Sequence, residues 1–198
     1  MTMETIPLFP LGTVLFPGGK MMLQIFEPRY LDLIGSCLKN DSGFGVVLLR
    51  EGSELQSSSD DKDTRLAQIG TYAKIVDWDS LPNDLLGITI EGTKKFRLIA
   101  SHQRNDKLHM AEVEWIEPEP VIALPEYADE MEALLAQLLD HPHIARLNLS
   151  PVIEDIAAMS CLLTQLLPID EKIKFQLLSL DDPLLRMEQL MNLLDEYN

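Results

Sequence analysis

The density of proline and glycine near the N-terminus restricts the fold more than any other feature of this chain. The segment 7–20 reads Pro-Leu-Phe-Pro-Leu-Gly-Thr-Val-Leu-Phe-Pro-Gly-Gly-Lys, and Met22-Leu-Gln-Ile-Phe-Glu-Pro-Arg-Tyr30 follows almost at once. Proline fixes φ and removes a backbone donor, while glycine opens the left-handed region, so few backbone paths satisfy this pattern. We expect short strands at 6–9 and 20–25, with a β-turn around Pro17-Gly18 between them.

Further strands are predicted throughout the first 116 residues, from period-two alternation and short apolar runs. They cover 44–49, 69–78, 85–91, 94–101 and 108–115. Gly92-Thr93 is expected to be the turn of a hairpin, because glycine supplies the positive φ that a tight hairpin requires. One helix interrupts the strands, beginning at Pro28 and running through Lys39. Several short strands at close spacing are typical of a small barrel rather than a layered α/β sheet.

The second part of the chain has a helical period. Glu117-Pro-Glu-Pro120 and Pro125 predict a linker over 117–125. Asp170 and Asp182 are expected to cap two later helices. The apolar stripes that precede them are Tyr127, Met131, Leu134, Leu135, Leu138 and Leu139, and then Ile153, Ile156, Ala157, Ser160, Leu163 and Leu167. The predicted architecture is α+β, with a strand-rich subdomain over 1–116 and a helical subdomain over 126–198.

The segment 51–63 is predicted to be a loop. It contains one large apolar residue among many serines and acidic residues. Surface loops of this composition are mobile, and some of them carry binding functions. Its sequence leaves open whether it takes part in binding.

The net charge of −16 is unevenly distributed. Residues 1–116 hold 16 acidic and 12 basic side chains, a net charge of −4, whereas residues 117–198 hold 16 acidic and 4 basic side chains, a net charge of −12. Such a field repels phosphate backbones and argues against sequence-independent nucleic-acid binding. The acidic surface either serves solubility alone or attracts basic or unfolded polypeptide.

The sequence also predicts a cytoplasmic location. Prolines at 7, 10 and 17 interrupt the N-terminal apolar run, so neither a signal peptide nor a membrane span is expected. Cys37 and Cys161 lie among apolar neighbours and are interpreted as buried, reduced thiols.

No motif for catalysis, metal binding or a cofactor is recognised. The segment 12–20 superficially resembles a phosphate loop, but Val14 and Met21 occupy positions that require glycine and serine or threonine. His141-Pro-His143 lacks a third ligand at suitable spacing and is interpreted as an interhelical loop. A pair of catalytic carboxylates has no fixed spacing, so the sequence neither indicates nor excludes one. Trp78 and Trp115 each end a strand and are expected to be core anchors, the alternative being an exposed recognition surface.

Six ordered motifs resemble the N-terminal domain of ATP-dependent Lon proteases. They are Pro7-Leu-Phe-Pro-Leu-Gly12, Val14-Leu-Phe-Pro-Gly18, Ile25-Phe-Glu-Pro-Arg-Tyr30, Phe44-Gly-Val-Val47, Ile69-Gly-Thr-Tyr-Ala73 and Gly92-Thr-Lys-Lys-Phe-Arg97. The segment 162–194 is similar to the helical end of that domain. The resemblance implies a PUA-like β-barrel with one inserted helix, followed by a helical subdomain, and a role in recognising polypeptide. It also implies kinship with free-standing bacterial proteins of this type, because no ATPase motif or Ser-Lys proteolytic segment is found.

The leading hypothesis is therefore a non-catalytic module that binds unfolded or flexible polypeptide, with a protease or chaperone system as its setting. A groove between barrel and helices is the expected site, since ligand clefts favour such junctions. Candidate wall residues are Phe16, Phe26, Arg29 and Tyr30. The structural alternative places both phenylalanines in the core and pairs Arg29 with an acidic group. A small hydrolase or peptidase with an unrecognised active site is the alternative function, and RNA binding is a third, disfavoured by charge.

Overall fold

The computed structural model describes residues 3–49, 66–82, 85–125 and 128–196, and the predicted loop at 51–63 and Tyr127 lie outside these ranges. The fold is mixed α+β. Its strands are β1 (Met3–Leu11), β2 (Lys20–Ile25), β3 (Phe44–Leu49), β4 (Leu66–Ser80), β5 (Leu86–Gln103) and β6 (His109–Trp115). Its helices are α1 (Pro28–Asn40), α2 (Ala128–Leu139), α3 (Pro142–Ala145), α4 (Ile156–Leu166), α5 (Glu171–Leu178) and α6 (Pro183–Glu196).

The described strands form one sheet in the order β2-β5-β4-β3-β1-β6, and β5 also pairs with β6. The pairings are antiparallel except for the parallel pair β1–β3. The length of β5 allows its first half to pair with β2 and its second half with β6, while β4 pairs along most of it. Five of the described strands are consequently linked in a cycle of hydrogen-bonded neighbours, and within the described ranges β2 pairs with this cycle through β5 alone.

The predicted hairpin turn at Gly92 is wrong. Gly92 lies inside β5, which continues without a break from Leu86 to Gln103. A Cβ atom at Gly92 would lie 2.2 Å from the carbonyl oxygen of Phe16. The amide of Gly18 donates to the Gly92 oxygen at 2.9 Å, and the amide of Gly92 donates to the Gly19 oxygen at 2.9 Å. Glycine is required here by the close approach of two backbones, a second reason for its use besides positive φ.

The predicted turn at Pro17-Gly18 is confirmed. The amide of Gly19 donates to the oxygen of Phe16 at 3.0 Å, and Gly18 has a φ of 74°. Proline at the second position and a left-handed glycine at the third are the requirements of a type II turn. The turn brings the chain from the end of β1 back to β2.

Most helix boundaries agree with the prediction because the capping signals are local. Pro28 begins α1, and the side chains of Asp170 and Asp182 accept hydrogen bonds from the amides of Lys172 and Leu184 at 2.8 and 2.9 Å. The interpretation of His141-Pro-His143 as a loop is wrong, since Pro142 begins the single turn of α3. Proline favours the first position of a helix, where its missing donor is not needed.

The described residues form three apolar core clusters. One lies between the sheet and α1 and includes Tyr30, Ile34 and Phe44. A second is formed within the sheet around Phe96. The third is the largest and packs the helices α2, α4, α5 and α6 against sheet-side residues, namely Val14, Phe16, Leu48, Ala67 and Ile69. The helical stripes are thus buried against the sheet as well as against each other.

The predicted subdomain boundaries stay a prediction. The last strand ends at Trp115 and the helix α2 begins at Ala128, on either side of the proposed linker over 117–125. Apolar packing is continuous across this boundary, because the third cluster contains residues from both parts. A linker in this chain therefore joins two packed parts.

The two tryptophans differ in their environments. Trp78 is 61% exposed, so its prediction as a core anchor is wrong. The ring of Trp115 is half-buried, with edge-to-face contacts to Tyr72 and Phe96 at centroid distances of 5.5 and 6.2 Å.

Cys37 and Cys161 are buried and unbridged, as predicted. Among the helices in the described ranges, none is long and apolar enough to cross a membrane.

Candidate functional site

The four predicted site residues do not lie together. Phe16 is fully buried between the sheet and the helices, so its side chain is not available at the surface. Phe26, Arg29 and Tyr30 line one cleft, called here the α1 cleft. A second cleft, the seam cleft, lies between the sheet and the helical part where the groove was expected, and none of the four residues lines it.

The α1 cleft has a volume of about 400 Å³. Its walls are the segment 9–11 of β1, the segment 23–25 of β2, the first residues of α1, and the side chains of Leu49 and His109. Most of these side chains are apolar. The cleft therefore offers an apolar lining with a few polar groups, which is the usual composition of a ligand site.

Phe26 is exposed because of the local change of direction between β2 and α1. Ile25 ends β2 with its side chain buried, and Pro28 begins α1. The amide of Tyr30 donates to the Glu27 oxygen at 3.0 Å, which tightens the first turn. Phe26 sits in the short connection and is 67% exposed, an unusual state for a phenylalanine.

Arg29 is held in place by two partners. Its Nη1 donates to the carbonyl oxygen of Lys107 at 2.8 Å, and its Nη2 lies 2.7 Å from Oε2 of Glu27. The predicted pairing of Arg29 with an acidic group, which was the alternative to a binding role, is thus present. The guanidinium also lies 4.7 Å from the ring centroid of Tyr30. These contacts orient the side chain at the cleft wall and partly neutralise its charge.

Tyr30 forms the floor of the cleft. Its ring stacks on Phe9 with a centroid distance of 4.0 Å and an interplanar angle of 18°. Burial raises the pKa of Tyr30, although the charge of Arg29 opposes the shift. The phenol therefore stays protonated at neutral pH. Its role in the cleft is that of a rigid aromatic surface.

The seam cleft is larger, with a volume of about 590 Å³. It lies between the Pro17-Gly18 turn, the segment 91–95 of β5, the segments 116–119 and 150–153, and one side of α4. Glu91, Glu117, Glu119 and Asp155 contribute carboxylates to its lining. A buried network of charges adjoins it and joins the sheet to the helices.

Lys95 and Arg186 share the carboxylate of Glu119 within this network. Lys95 Nζ lies 2.8 Å from Glu119 Oε1 and 2.9 Å from Asp181 Oδ1, and it also donates to the Leu180 oxygen at 2.8 Å. Nη1 of Arg186 donates to Oε1 of Glu119 at 2.9 Å, and Nη2 donates to Oε2. Both cationic side chains are buried. The network thus connects β5, the segment after β6, and the start of α6.

The ionisation of the network follows from its geometry. Burial by itself raises the pKa of Glu119, but hydrogen bonds from Arg186 and Lys95 and their charges outweigh it, so the pKa lies below its ordinary value. Burial lowers the pKa of Arg186, and the bond to Glu119 reverses this, leaving a raised pKa. Glu119 and Arg186 are therefore both charged at neutral pH. The network is structural in character, since each charge is matched.

Backbone amides of the N-terminal segment donate hydrogen bonds to side chains of the helical part. The amide of Phe16 donates to Oε1 of Gln165 at 2.8 Å, and the amide of Val14 donates to Oε2 of Glu171 at 2.7 Å. A Cβ atom at Gly19 would lie 2.9 Å from Gln165. The proline- and glycine-rich opening thus serves as a docking surface for the helical part.

Sequence reasoning missed the residues of these contacts. Lys95 lies in one of the six motifs, Arg186 in the segment 162–194 and Glu119 in the predicted linker, but none of them was assigned a role. Ion pairs between distant segments have no spacing that a sequence could reveal. The only available signal was the scarcity of basic residues after position 116, which makes each of the four there a candidate for pairing.

The described residues do not point to a catalytic or metal centre. Within them, no group of three or more His, Cys, Asp and Glu side chains could hold a metal ion. Burial raises the pKa of the Cys37 thiol, and it raises that of Cys161 to about 11. Thiols of this kind are poor nucleophiles at neutral pH.

Comparison with known protein families gives a match over almost the whole chain. Residues 5–196 match the family described as the ATP-dependent protease La (LON) substrate-binding domain. The chain is 25% identical over 201 aligned residues to a Lon protease of Haemophilus influenzae, covering 98% of this chain and 24% of that protein. It is 29% identical over 97 residues to Lon protease 2 of Myxococcus xanthus, covering 48% of this chain and 11% of that protein. The chain thus spans a quarter or less of these relatives.

Solved structures show the same fold. A crystal structure of a Lon N-terminal domain protein from Xanthomonas campestris superposes with a TM-score of 0.74 and 32% sequence identity, covering 96% of this chain and 98% of that one. The N-terminal domain of a Mycobacterium avium complex Lon protease gives a TM-score of 0.59 at 16% identity, covering 96% and 97% of the two chains. The second structure shows that a chain with only 16% sequence identity has the same fold.

Proposed function

This chain belongs to the substrate-binding domain family of ATP-dependent protease La (Lon), and from that premise we propose that it is a non-catalytic module that binds unfolded or flexible polypeptide. The name of the family supports the class of ligand. The buried charges at the seam cleft support the lack of catalysis, since they are paired as Lys95–Glu119, Lys95–Asp181 and Arg186–Glu119. The protein's part is to hold a polypeptide, within a protease or chaperone system of the cytoplasm.

The observation that carries the proposal is the exposed phenylalanine at an apolar cleft. Phe26 stands at the rim of the α1 cleft, while Tyr30 and Phe9 form a rigid stacked floor beneath it. Binding energy at protein surfaces is concentrated in a few aromatic residues and arginines near apolar pockets. We assign Phe26, Arg29 and Tyr30 to the polypeptide-binding surface and leave out Phe16, which is buried.

The same proposal includes the finer fold assignment. The cycle of β5, β4, β3, β1 and β6 supports a small closed barrel of the PUA-like kind. In such an arrangement α1 covers one opening of the barrel, and the α1 cleft lies beside this cover. A barrel of this kind holds the cleft walls rigidly, because the strands of a closed sheet are hydrogen-bonded to a neighbour on both sides.

The charge of the chain favours basic ligands. With a net charge of −16, the domain attracts positively charged segments and repels acidic ones. Polypeptides that combine apolar residues with lysine or arginine therefore suit both the cleft and the surrounding field. Their binding is expected to weaken as salt is added.

Fluorescence anisotropy with two unfolded chains tests the proposal. Reduced, carbamidomethylated lysozyme provides a basic chain, and identically treated α-lactalbumin provides an acidic one. We expect saturable binding of the first and much weaker binding of the second. Phe26→Ser is expected to weaken binding about tenfold or more, as for an aromatic hot spot.

The matched control is Leu38→Ser, which removes an exposed apolar side chain from α1 outside the cleft. It should leave the affinity unchanged. If Phe26→Ser and Leu38→Ser lowered the affinity equally, the α1 cleft would not be the binding site. No saturable binding of either unfolded chain would overturn the proposed function itself.

A further inference from the structure

One wall of the α1 cleft is an edge of the sheet. All six residues of β2 pair with β5, and among the described residues no other strand pairs with β2. In an antiparallel pair, alternate residues of an edge strand direct their N–H and C=O groups away from the partner. The outer edge of β2 therefore carries a row of backbone donors and acceptors.

We propose that polypeptide binds this domain as an added strand on the outer edge of β2, inside the α1 cleft; this inference rests on the proposed function and specifies its binding mode. Strand addition satisfies the backbone groups of the edge and of the ligand in one step. Main-chain hydrogen bonds supply affinity without reading sequence, which suits recognition of many unfolded chains.

The position of the cleft matches this mode. Leu23, Gln24 and Ile25 of β2 form one wall, and the end of β1 forms the facing wall. Three residues of extended chain span about 10 Å, a length over which an added strand would run along the cleft. Its alternate side chains would point to opposite faces, and those facing Tyr30 would meet an apolar floor.

The edge of β2 lacks the usual protection against pairing. Natural sheets protect edge strands with proline, with charged side chains or with bulges. The segment 21–25 of β2 contains no proline and no charged residue, and its pairing with β5 has no bulge. The only charged residue is Lys20 at its start, which lies 3.9 Å from Glu91. Met22 on the same strand is 57% exposed.

Charge decides between the possible occupants. A second copy of this chain carries the same net charge of −16, of which −4 belongs to residues 1–116 that contain β2, and the repulsion between like charges opposes such pairing. We therefore assign the edge to a foreign polypeptide segment with alternating apolar residues and basic flanks. The acidic field of the domain then favours the encounter.

Backbone methylation of a probe peptide tests the mode of binding. The probe is a fluorescein-labelled peptide of about eight residues, a typical strand length, with Val, Ile and Leu at alternate positions, Thr between them and Lys at both ends. Replacing one backbone N–H by N-methyl removes a donor and blocks close strand pairing while every side chain stays. We expect losses of about tenfold or more at every second position and little change at the intervening positions, which are the matched controls.

Amide hydrogen exchange on the protein provides the second measurement. Saturation with the probe is expected to slow exchange at alternate residues of β2, as new hydrogen bonds form along its edge. Tight binding of the probe without a period-two methylation pattern and without this protection would overturn strand addition while leaving polypeptide binding intact. Protection of β2 in the protein alone, rising with concentration, would assign the edge to a second copy instead. Failure of the probe and of unfolded lysozyme to bind would overturn the proposed function.

Discussion

Arg186 at the start of α6 and Glu119 in the segment after β6 form a buried, two-point ion pair. Nη1 of Arg186 donates to Oε1 of Glu119 at 2.9 Å, and its Nη2 donates to Oε2. Nε of Arg186 donates to Ser160 Oγ on α4 at 3.0 Å, so α4 and α6 are joined through one side chain. Because Lys95 of β5 binds the same carboxylate, the pair also links the helical part to the sheet.

Replacing Arg186 with methionine is expected to lower the free energy of unfolding by about 3–5 kcal/mol. The substitution keeps most of the apolar volume but leaves the buried Glu119 carboxylate with Lys95 alone. Chemical denaturation measures the change. Arg104→Met is the matched control, because Arg104 is exposed in its ion pair with Asp106, and the expected loss there is within about 1 kcal/mol. Similar losses for the two variants would contradict a structural role for the buried pair.

Acid is expected to destabilise the protein through Glu119. The pKa of Glu119 is lowered on folding, so its ionised form stabilises the folded state at pH values above the unfolded pKa of about 4.3. This contribution is lost as the pH falls from there through the folded pKa. The free energy of unfolding, measured by denaturation between neutral pH and acid, should therefore fall more steeply than in Glu119→Gln.

An NMR titration of the Glu119 side-chain carboxyl carbon checks the same point without a substitution. The signal should titrate below the ordinary range of a glutamate, since burial is outweighed by the two cationic partners. A midpoint at or above that range would show that burial dominates, contrary to the expectation.

Gly92→Ala is expected to cost about 1–3 kcal/mol of unfolding free energy, as overpacking does in a rigid site. The new methyl group would lie 2.2 Å from the Phe16 oxygen, where both backbones are fixed by hydrogen bonds. Gly35→Ala is the matched control, since Gly35 lies in α1 with open space around its Cβ position. Alanine favours the helix, so that variant should gain about 0.5–1 kcal/mol. If the two substitutions changed the free energy of unfolding in the same direction, the result would contradict the packing described for Gly92.

The two tryptophans are expected to respond differently to acrylamide quenching of fluorescence. In Trp115→Phe only the exposed Trp78 emits, and strong quenching should follow. In Trp78→Phe only Trp115 emits, and its ring is covered by Tyr72, Phe96 and Lys94, whose Nζ lies 3.4 Å from the ring centroid. Weaker quenching is expected there. Equal quenching constants would contradict the difference in burial.

Local signals in the sequence were sufficient for several elements. The turn at Pro17-Gly18 and the starts of α1, α5 and α6 depend on proline, glycine and aspartate acting within a few residues of their own position. The amphipathic stripes also predicted most helices, because burial of one face repeats at the helical period. These features need no knowledge of distant segments.

Two of the predicted site residues show where such signals end. Phe16 and Phe26 both follow a branched apolar residue and stand close to a proline in the sequence. Phe16 is buried because the helices after position 128 pack over it, whereas Phe26 stays 67% exposed. The difference in burial between Phe16 and Phe26 therefore depends on contacts made by distant parts of the chain.

The sequence alone determined the α+β class, the kinship with Lon substrate-binding domains and the local turns and caps, since these depend on residue order and short-range hydrogen bonds. Tertiary structure decided that Gly92 lies within a strand against Phe16, that Arg186 binds Glu119, and that β2, which among the described strands pairs with β5 alone, lies beside Phe26. The reason is that packing and ion pairing depend on which segments meet in space, and no spacing along the chain encodes those meetings.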